Sequence, residues 1–205
     1  MTLKNIFLSL LFFASNAWGQ VRYIDYPSPF HPTLGSSGMV VSQNQASSDI
    51  GVEILNMGGN AIDAAVAVGF SLATTLPRAG NLGGGGFMLI YLSDEQKTIA
   101  VDFRSSAPKG ISKDDFLFLK NNYDQRRYGY KASGVPGTVA GLLQTHKRYG
   151  KLSLKKILQP VIAQASKGIL VSYDLNQAIG SAHQINLDEE SKKIYYQNES
   201  PVIEH

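Results

Sequence analysis

Arg104 is one of two features in this 205-residue chain whose type and context could serve a ligand. It follows the alternating run Ile99–Phe103, which reads as a strand. A guanidinium at a strand end can grip a carboxylate through a two-pronged, charge-assisted contact. Asp102, two positions earlier, offers that charge another use, and on the residues alone a surface ion pair is the favoured reading. The second feature is bare backbone at Gly83, Gly84, Gly85 and Gly86. Four successive residues without Cβ bend sharply or let another group come very close. The close approach is either tight packing of strand on helix or a backbone wall near a site, against which a ligand or nucleophile rests. A dinucleotide or phosphate loop needs a strand before its glycines and a helix after them. Here an apolar helix precedes and a strand follows, and no Gly-Lys-Ser/Thr occurs.

Other chemistries are excluded more simply. The chain has no cysteine, so a thiolate nucleophile, a disulfide framework and a Cys-based zinc site are ruled out. His31, His146, His183 and His205 share no metal-ligand spacing, and HExxH is absent, so no metal and no cofactor are expected. His146 lies on an otherwise apolar helical face and reads as a satisfied core or edge histidine. No Gly-x-Ser-x-Gly elbow occurs. Lys151, Lys155, Lys156 and Lys167 form a solvated helix face, and the formal charge of +3 is too small to imply nucleic acid.

The elements that must position these residues follow from periodicity and capping. Met39–Val41 suits a short strand. Ser42 and Gln45 form a capping-box pattern ahead of a helix whose face carries Ala46, Ile50, Ile54 and Met57, with Gly58-Gly59 closing it in a left-handed conformation. Asn60 caps a second helix from Ala61 to about Thr75. That helix is apolar all round and therefore buried; a membrane span is opposed by Asp63 and by its length. Pro77 ends it. Phe87–Leu92 and Thr98–Phe103 make a hairpin around Ser93-Asp94-Glu95-Gln96, followed by a short helical piece near Asp114–Lys120. Pro136 and Gly150 bracket a helix with Val139, Leu142, Leu143 and His146 on one face. Ser153 caps another, carrying Leu154, Ile157, Leu158, Val161, Ile162 and Ala165, which Pro160 should kink or split. After Ser172–Ile179 the pattern fades into a charged tail. Helices, a hairpin, then helices predict a layered α+β domain with antiparallel strands.

The first residues read as an export signal. Lys4 supplies a positive start, Ile6–Ala14 an apolar run, and Ala17-Trp18-Gly19 small residues at the peptidase positions. The run is too short to cross ~30 Å of hydrocarbon, so cleavage before Gln20 is expected. The mature chain would then be periplasmic or secreted, with no membrane association.

Four segments resemble the γ-glutamyltransferase (γ-glutamyltranspeptidase, glutathione hydrolase) family. They are Gly58-Gly59-Asn60-Ala61-Ile62-Asp63-Ala64-Ala65-Val66-Ala67, Gly80-Asn81-Leu82-Gly83-Gly84-Gly85-Gly86-Phe87-Met88, Asp102-Phe103-Arg104 and Gly134-Val135-Pro136-Gly137-Thr138-Val139-Ala140-Gly141. They keep the family's order and approximate spacing between Gly38 and Ile179, which makes the match specific. Together with the residue-level reading this divides the chain into a signal peptide (1–19), a leading arm (20–37), a γ-glutamyltransferase-like large-subunit portion (38–184) and the charged tail of a truncated domain (185–205).

The resemblance implies a partial Ntn-hydrolase αββα sandwich, α+β in class, with helices packed on antiparallel strands. It implies a precursor that cuts itself into large and small subunits. The new N-terminal Thr of the small subunit then attacks the γ-glutamyl amide of glutathione or a similar compound, with its own amine as base. The acyl-enzyme is released to water or to an amino acid. The family arginine matching Arg104 grips the α-carboxylate of the glutamyl group. Family members commonly carry an acidic residue just after that arginine, where this chain has Ser105. Thr145-His146 superficially resembles the Thr-Thr-His-type junction, but the middle of a helix offers no free amine. The nucleophile is therefore expected outside this chain, which would be inactive without a small-subunit partner half. The alternative is a non-catalytic glutamate- or glutathione-binding module, or a pseudogene product.

Overall fold

The computed structural model describes residues 34–79, 81–117, 132–182, 189–197 and 200–201. The export signal, most of the leading arm, Gly80, His31, His183, His205 and the end of the piece expected at Asp114–Lys120 lie outside the described residues. The contacts divide the chain after Ser36. Of the first unit only 34–36 are described, and they are exposed; the elements below all belong to the second.

Helix α1 spans Gln45–Asn56 and α2 Ala61–Thr75. Strands β1 (Phe87–Leu92) and β2 (Lys97–Asp102) pair antiparallel. A short α3 (Lys113–Leu117) follows, then α4 (Thr138–Tyr149), α5 (Leu154–Lys167) and α6 (Tyr173–Ala182). The tail is not featureless. It holds α7 (Glu189–Tyr195) and a two-residue pair, β3 (Tyr196–Gln197) with β4 (Ser200–Pro201). Lys192 on α7 is held above its ordinary pKa by its hydrogen bond to Glu189 and by that carboxylate's charge.

Helix α2 is the hub, packing on α1, α4 and α5. Its small residues allow close approach: a Cβ at Gly69 would lie 3.0 Å from Leu142 Cδ1. Ile50, Ile54, Ala64, Val66, Ala67, Leu142, Ile157 and Val161 form the core, and Met88 joins the hairpin to it. One hairpin face, with Met88, Ile90 and Val101, turns towards the helices; the other, with Phe87, Leu89 and Tyr91, is exposed. Hydroxyls stitch three helices together. Ser47 Oγ lies 2.7 Å from Ser71 Oγ and 2.8 Å from Thr75 Oγ1, and Ser71 Oγ donates to Gln164 Oε1 at 2.6 Å. Because that amide oxygen only accepts, the donors run Thr75 to Ser47 to Ser71 to Gln164.

Asp63 fixes the start of α2 to the α4–α5 loop. Its fully buried carboxylate accepts Asn60 N at 3.0 Å, Lys151 N at 3.0 and 3.1 Å, and Leu152 N at 3.1 Å. Asn60 completes the capping box and donates its Nδ2 to Tyr149 O at 2.7 Å. His146 is satisfied as expected, its Nε2 donating to Leu152 O at 2.9 Å.

Several local expectations change. Residues 39–41 form no strand, because no described segment pairs with them; Val40 instead packs over Gly51. The α1 cap is Asn44, which accepts Ser47 N at 3.3 Å, while Ser42 Oγ donates to Asn44 O at 2.8 Å. The buried face of α1 is Ser47, Ile50, Gly51 and Ile54, so Ala46 and Met57 are exposed. Gly58 takes the expected left-handed φ of 85°. Pro136 lies before the cap Gly137, and α4 buries Thr138, Gly141, Leu142 and Thr145, leaving Val139 exposed. Helix α5 continues unsplit through Pro160, with Ile162 exposed.

Candidate functional site

The ladder between β1 and β2 continues for one pair beyond the strands. Phe103 N donates to Gly86 O at 3.0 Å and Gly86 N to Phe103 O at 3.3 Å. A second segment closes from the opposite side, with Val135 N donating to Ser106 O at 2.8 Å and Ser106 N to Val135 O at 3.2 Å. The glycine run and the start of α4 are themselves joined, since Gly84 O accepts Gly137 N at 2.9 Å and Thr138 N at 3.1 Å. Arg104 thus sits in a short stretch of backbone held between two other backbone segments.

Its side chain is exposed. The ion pair with Asp102 that the residues alone favour does not form: Asp102 Oδ1 instead accepts the backbone N–H of Arg104 at 2.9 Å. Among the described residues the guanidinium has no carboxylate partner. Ser105 adds no charge beside it. The arrangement leaves a full positive charge on an anchored backbone, facing outward.

The four glycines divide their work. Gly83 N donates to Asn81 Oδ1 at 2.8 Å, and Asn81 Nδ2 donates to Pro77 O at 3.2 Å, which pins the loop to the end of α2. Gly84 joins α4. Gly85 and Gly86 press on Phe103–Ser105: a Cβ at Gly85 would overlap Ser105 N and lie 2.8 Å from the carbonyl carbon of Arg104. The bare backbone therefore lies against Arg104's own backbone. Asn81, Phe103, Gly137 and Gly141 were not singled out as site residues from sequence, although all belong to the quoted segments.

Thr145 and His146 are not near this cluster's chemistry. Thr145 is buried within α4, where its nitrogen is a helical amide. Among the described residues no cluster of His, Cys, Asp and Glu could hold a metal ion, and no helix is long and apolar enough to cross a membrane.

Comparison with known proteins places these layers. The solved γ-glutamyltranspeptidase of Helicobacter pylori matches with a TM-score of 0.78 at 38% identity, over 86% of this chain and 51% of that one. The enzyme of Pseudomonas nitroreducens, complexed with L-DON, gives 0.73 at 39% identity, over 82% and 50%. The architecture is that of part of an Ntn-hydrolase, with helices on antiparallel strands. A family model described as gamma-glutamyltranspeptidase matches residues 47–204. The glutathione hydrolase proenzyme of Escherichia coli K12 is 42% identical over 177 residues, and that of Pseudomonas aeruginosa 45% identical over 147. The chain belongs to the γ-glutamyltranspeptidase family. The E. coli match takes in 84% of this chain but spans only 30% of that relative's length.

Proposed function

We propose that this chain forms the glutamyl-gripping side of an enzyme that cleaves γ-glutamyl amides, with glutathione or a similar compound as donor and water or an amino acid as acceptor. The observation that carries the reading is Arg104, an exposed guanidinium without a carboxylate partner among the described residues, on a backbone fixed from two sides. Paired with the α-carboxylate of the donor, it sets how far the γ-amide reaches. Gly85 and Gly86, packed on Phe103–Ser105, form the wall beside it. A Thr hydroxyl supplied by a partner half attacks the γ-carbonyl, the Thr amine takes the hydroxyl proton and passes it to the amide nitrogen, and the C–N bond breaks to release the amine as the acyl-enzyme forms. Water or an amino acid then releases the glutamyl group.

The hairpin supports the need for that partner half. Among the described residues neither β1 nor β2 has a second neighbour, and a lone two-stranded sheet is marginal in water. Phe87, Leu89 and Tyr91 are 65%, 77% and 61% exposed on one face, a surface that additional structure would cover. The leader directs the chain to the periplasm or outside the cell, beginning at Gln20.

Expressed alone, the exported product should start at Gln20 and cleave no γ-glutamyl anilide. Co-expressed with the remaining part of a related proenzyme, it should copurify with that part, and cleavage should appear. Leu89→Lys should shift the chain's own melting temperature by no more than about 2 °C, as expected for a surface change, yet prevent copurification. Cleavage by the chain alone would overturn the assignment of the nucleophile to a partner.

A further inference from the structure

Glycine is usually kept for a backbone conformation other residues resist, but that is not the reason at two positions beside Arg104. Gly137 has φ −109° and ψ −18°, open to any residue. Gly141 lies inside α4, where alanine would raise helix propensity. Both are needed for space, and the same group occupies it. A Cβ on Gly137 would overlap the Phe103 carbonyl oxygen and lie 2.8 Å from its carbon. A Cβ on Gly141 would overlap Phe103 Cγ and Cβ and lie 2.7 Å from Cδ1. From the other side, a Cβ on Gly86 would lie 2.9 Å from Phe103 Cε2, and one on Gly85 2.8 Å from Phe103 O.

We propose that Phe103, seated in a slot of bare backbone made by Gly85, Gly86, Gly137 and Gly141, is the positioning device for Arg104. The inference rests on the reading of Arg104 as the carboxylate grip. Arginine has a long, rotatable side chain, so the part of its reach that the fold can fix is the place and direction of its Cα–Cβ bond. A binding group has to be held to about 0.5 Å. The Phe103 ring, one residue away and half-buried, converts the packing of β1's leading glycines against α4 into a fixed location for that bond.

Which atoms would overlap ranks the substitutions. At Gly86 the obstructed atoms are at the far edge of the ring, which can swing aside. At Gly141 they are Cβ and Cγ, and no rotation about χ1 moves Cβ. The helix cannot retreat easily either, because Thr138 and Leu142 are buried and Gly84 O holds the first turn. The backbone of Phe103 must shift, and Arg104 moves with it.

The test uses isothermal titration of the chain, joined where binding requires it by its partner half with the attacking Thr replaced by Ala, so that the probes are not cleaved. Two probes are used, L-glutamic acid γ-anilide and the same compound amidated at the α-carboxyl. The preference of the parent protein for the free carboxylate should fall about tenfold to hundredfold in Gly141→Ala, and less in Gly86→Ala, with binding of the α-amide unchanged in both. Gly69→Ala, another helical glycine whose Cβ would meet only a flexible leucine tip, should leave the preference intact and controls for packing alone. If Arg104→Ala leaves the preference unchanged, the reading of Arg104 fails. If Arg104→Ala removes it and folded Gly141→Ala and Gly86→Ala keep it, the positioning role fails. A ligand-free measurement decides the same point. In 15N-labelled chain the Arg104 amide resonance, set by its bond to Asp102, should move in Gly141→Ala and stay in Gly69→Ala. An unmoved resonance in folded protein overturns the proposal, and Gly86→Ala replaces Gly141→Ala should the latter not fold.

Discussion

Asp63→Ala should destabilise the chain by about 3–5 kcal/mol, the cost of leaving three backbone donors without their acceptor. Its carboxylate has no exposure and accepts backbone N–H groups from Asn60, Lys151 and Leu152 at 3.0–3.1 Å. Alanine leaves those part-buried donors without an acceptor, which places each at the lower part of the roughly 1–3 kcal/mol that an unsatisfied buried group costs. The carboxylate also lies in the first turn of α2, where the helix dipole favours a negative charge. At about 2–4 °C per kcal/mol for a chain of this size, thermal melting followed by circular dichroism should show a fall of roughly 10 °C. Asp63→Asn should lose less, because one carbonyl oxygen remains while the new amide turns its own N–H groups towards other donors. An alanine variant that melts within 2 °C of the parent would mean the loop finds other acceptors and Asp63 is not the tie described here.

How legible such features are in sequence depends on how far away their partners lie along the chain. Helix α2 could be read from Ala61 to Thr75 because its signals are local: Asn60 before it, Pro77 after it, apolar residues all round between them. Helix α1 is capped by Asn44 where the spacing predicts Ser42: both residues are competent, and Ser42 Oγ is instead used on Asn44 O at 2.8 Å and beside Ser48 Oγ at 2.9 Å. The run Met39–Val41 has strand-forming types, but a strand also needs a neighbour, and Val40 is used as packing over Gly51. Asp63 was legible only as a charge in an apolar helix. Two of the three donors it serves are backbone groups 88 and 89 residues away, and backbone leaves no mark in residue types. The glycine run announced close approach without naming the visitor, which turns out to be Phe103–Ser105 on one side and the start of α4 on the other. The family itself was readable because four segments kept their order, a pattern that does not depend on knowing any contact.

Arg104→Ala should weaken binding of γ-glutamyl compounds with a free α-carboxylate by about 100- to 1,000-fold. A two-pronged guanidinium–carboxylate contact makes two hydrogen bonds to charged groups, each contributing about 1.5–3 kcal/mol, and every 1.4 kcal/mol is about tenfold in affinity. Exposure argues for the lower part of the combined range, because solvent screens the charge. Arg104→Lys should recover part of the loss, leaving binding about tenfold weaker than in the parent, since an ammonium keeps the charge but not the fork. Ligands amidated at the α-carboxyl should bind parent and Arg104→Ala alike. Neither substitution should disturb folding: the hydrogen bond from Arg104 to Asp102 uses the backbone N–H, which alanine and lysine retain. Two local details sharpen the expectation. Asp102 keeps its charge but spends one oxygen on that N–H and forms no ion pair with the guanidinium, and Ser105 brings no carboxylate, so the guanidinium is left to pair with the ligand. Affinity for the free carboxylate should accordingly fall with added salt in the parent and be nearly salt-independent in Arg104→Ala. Titrations at two ionic strengths separate the cases, and equal salt dependence in both proteins would move the carboxylate grip to another cation.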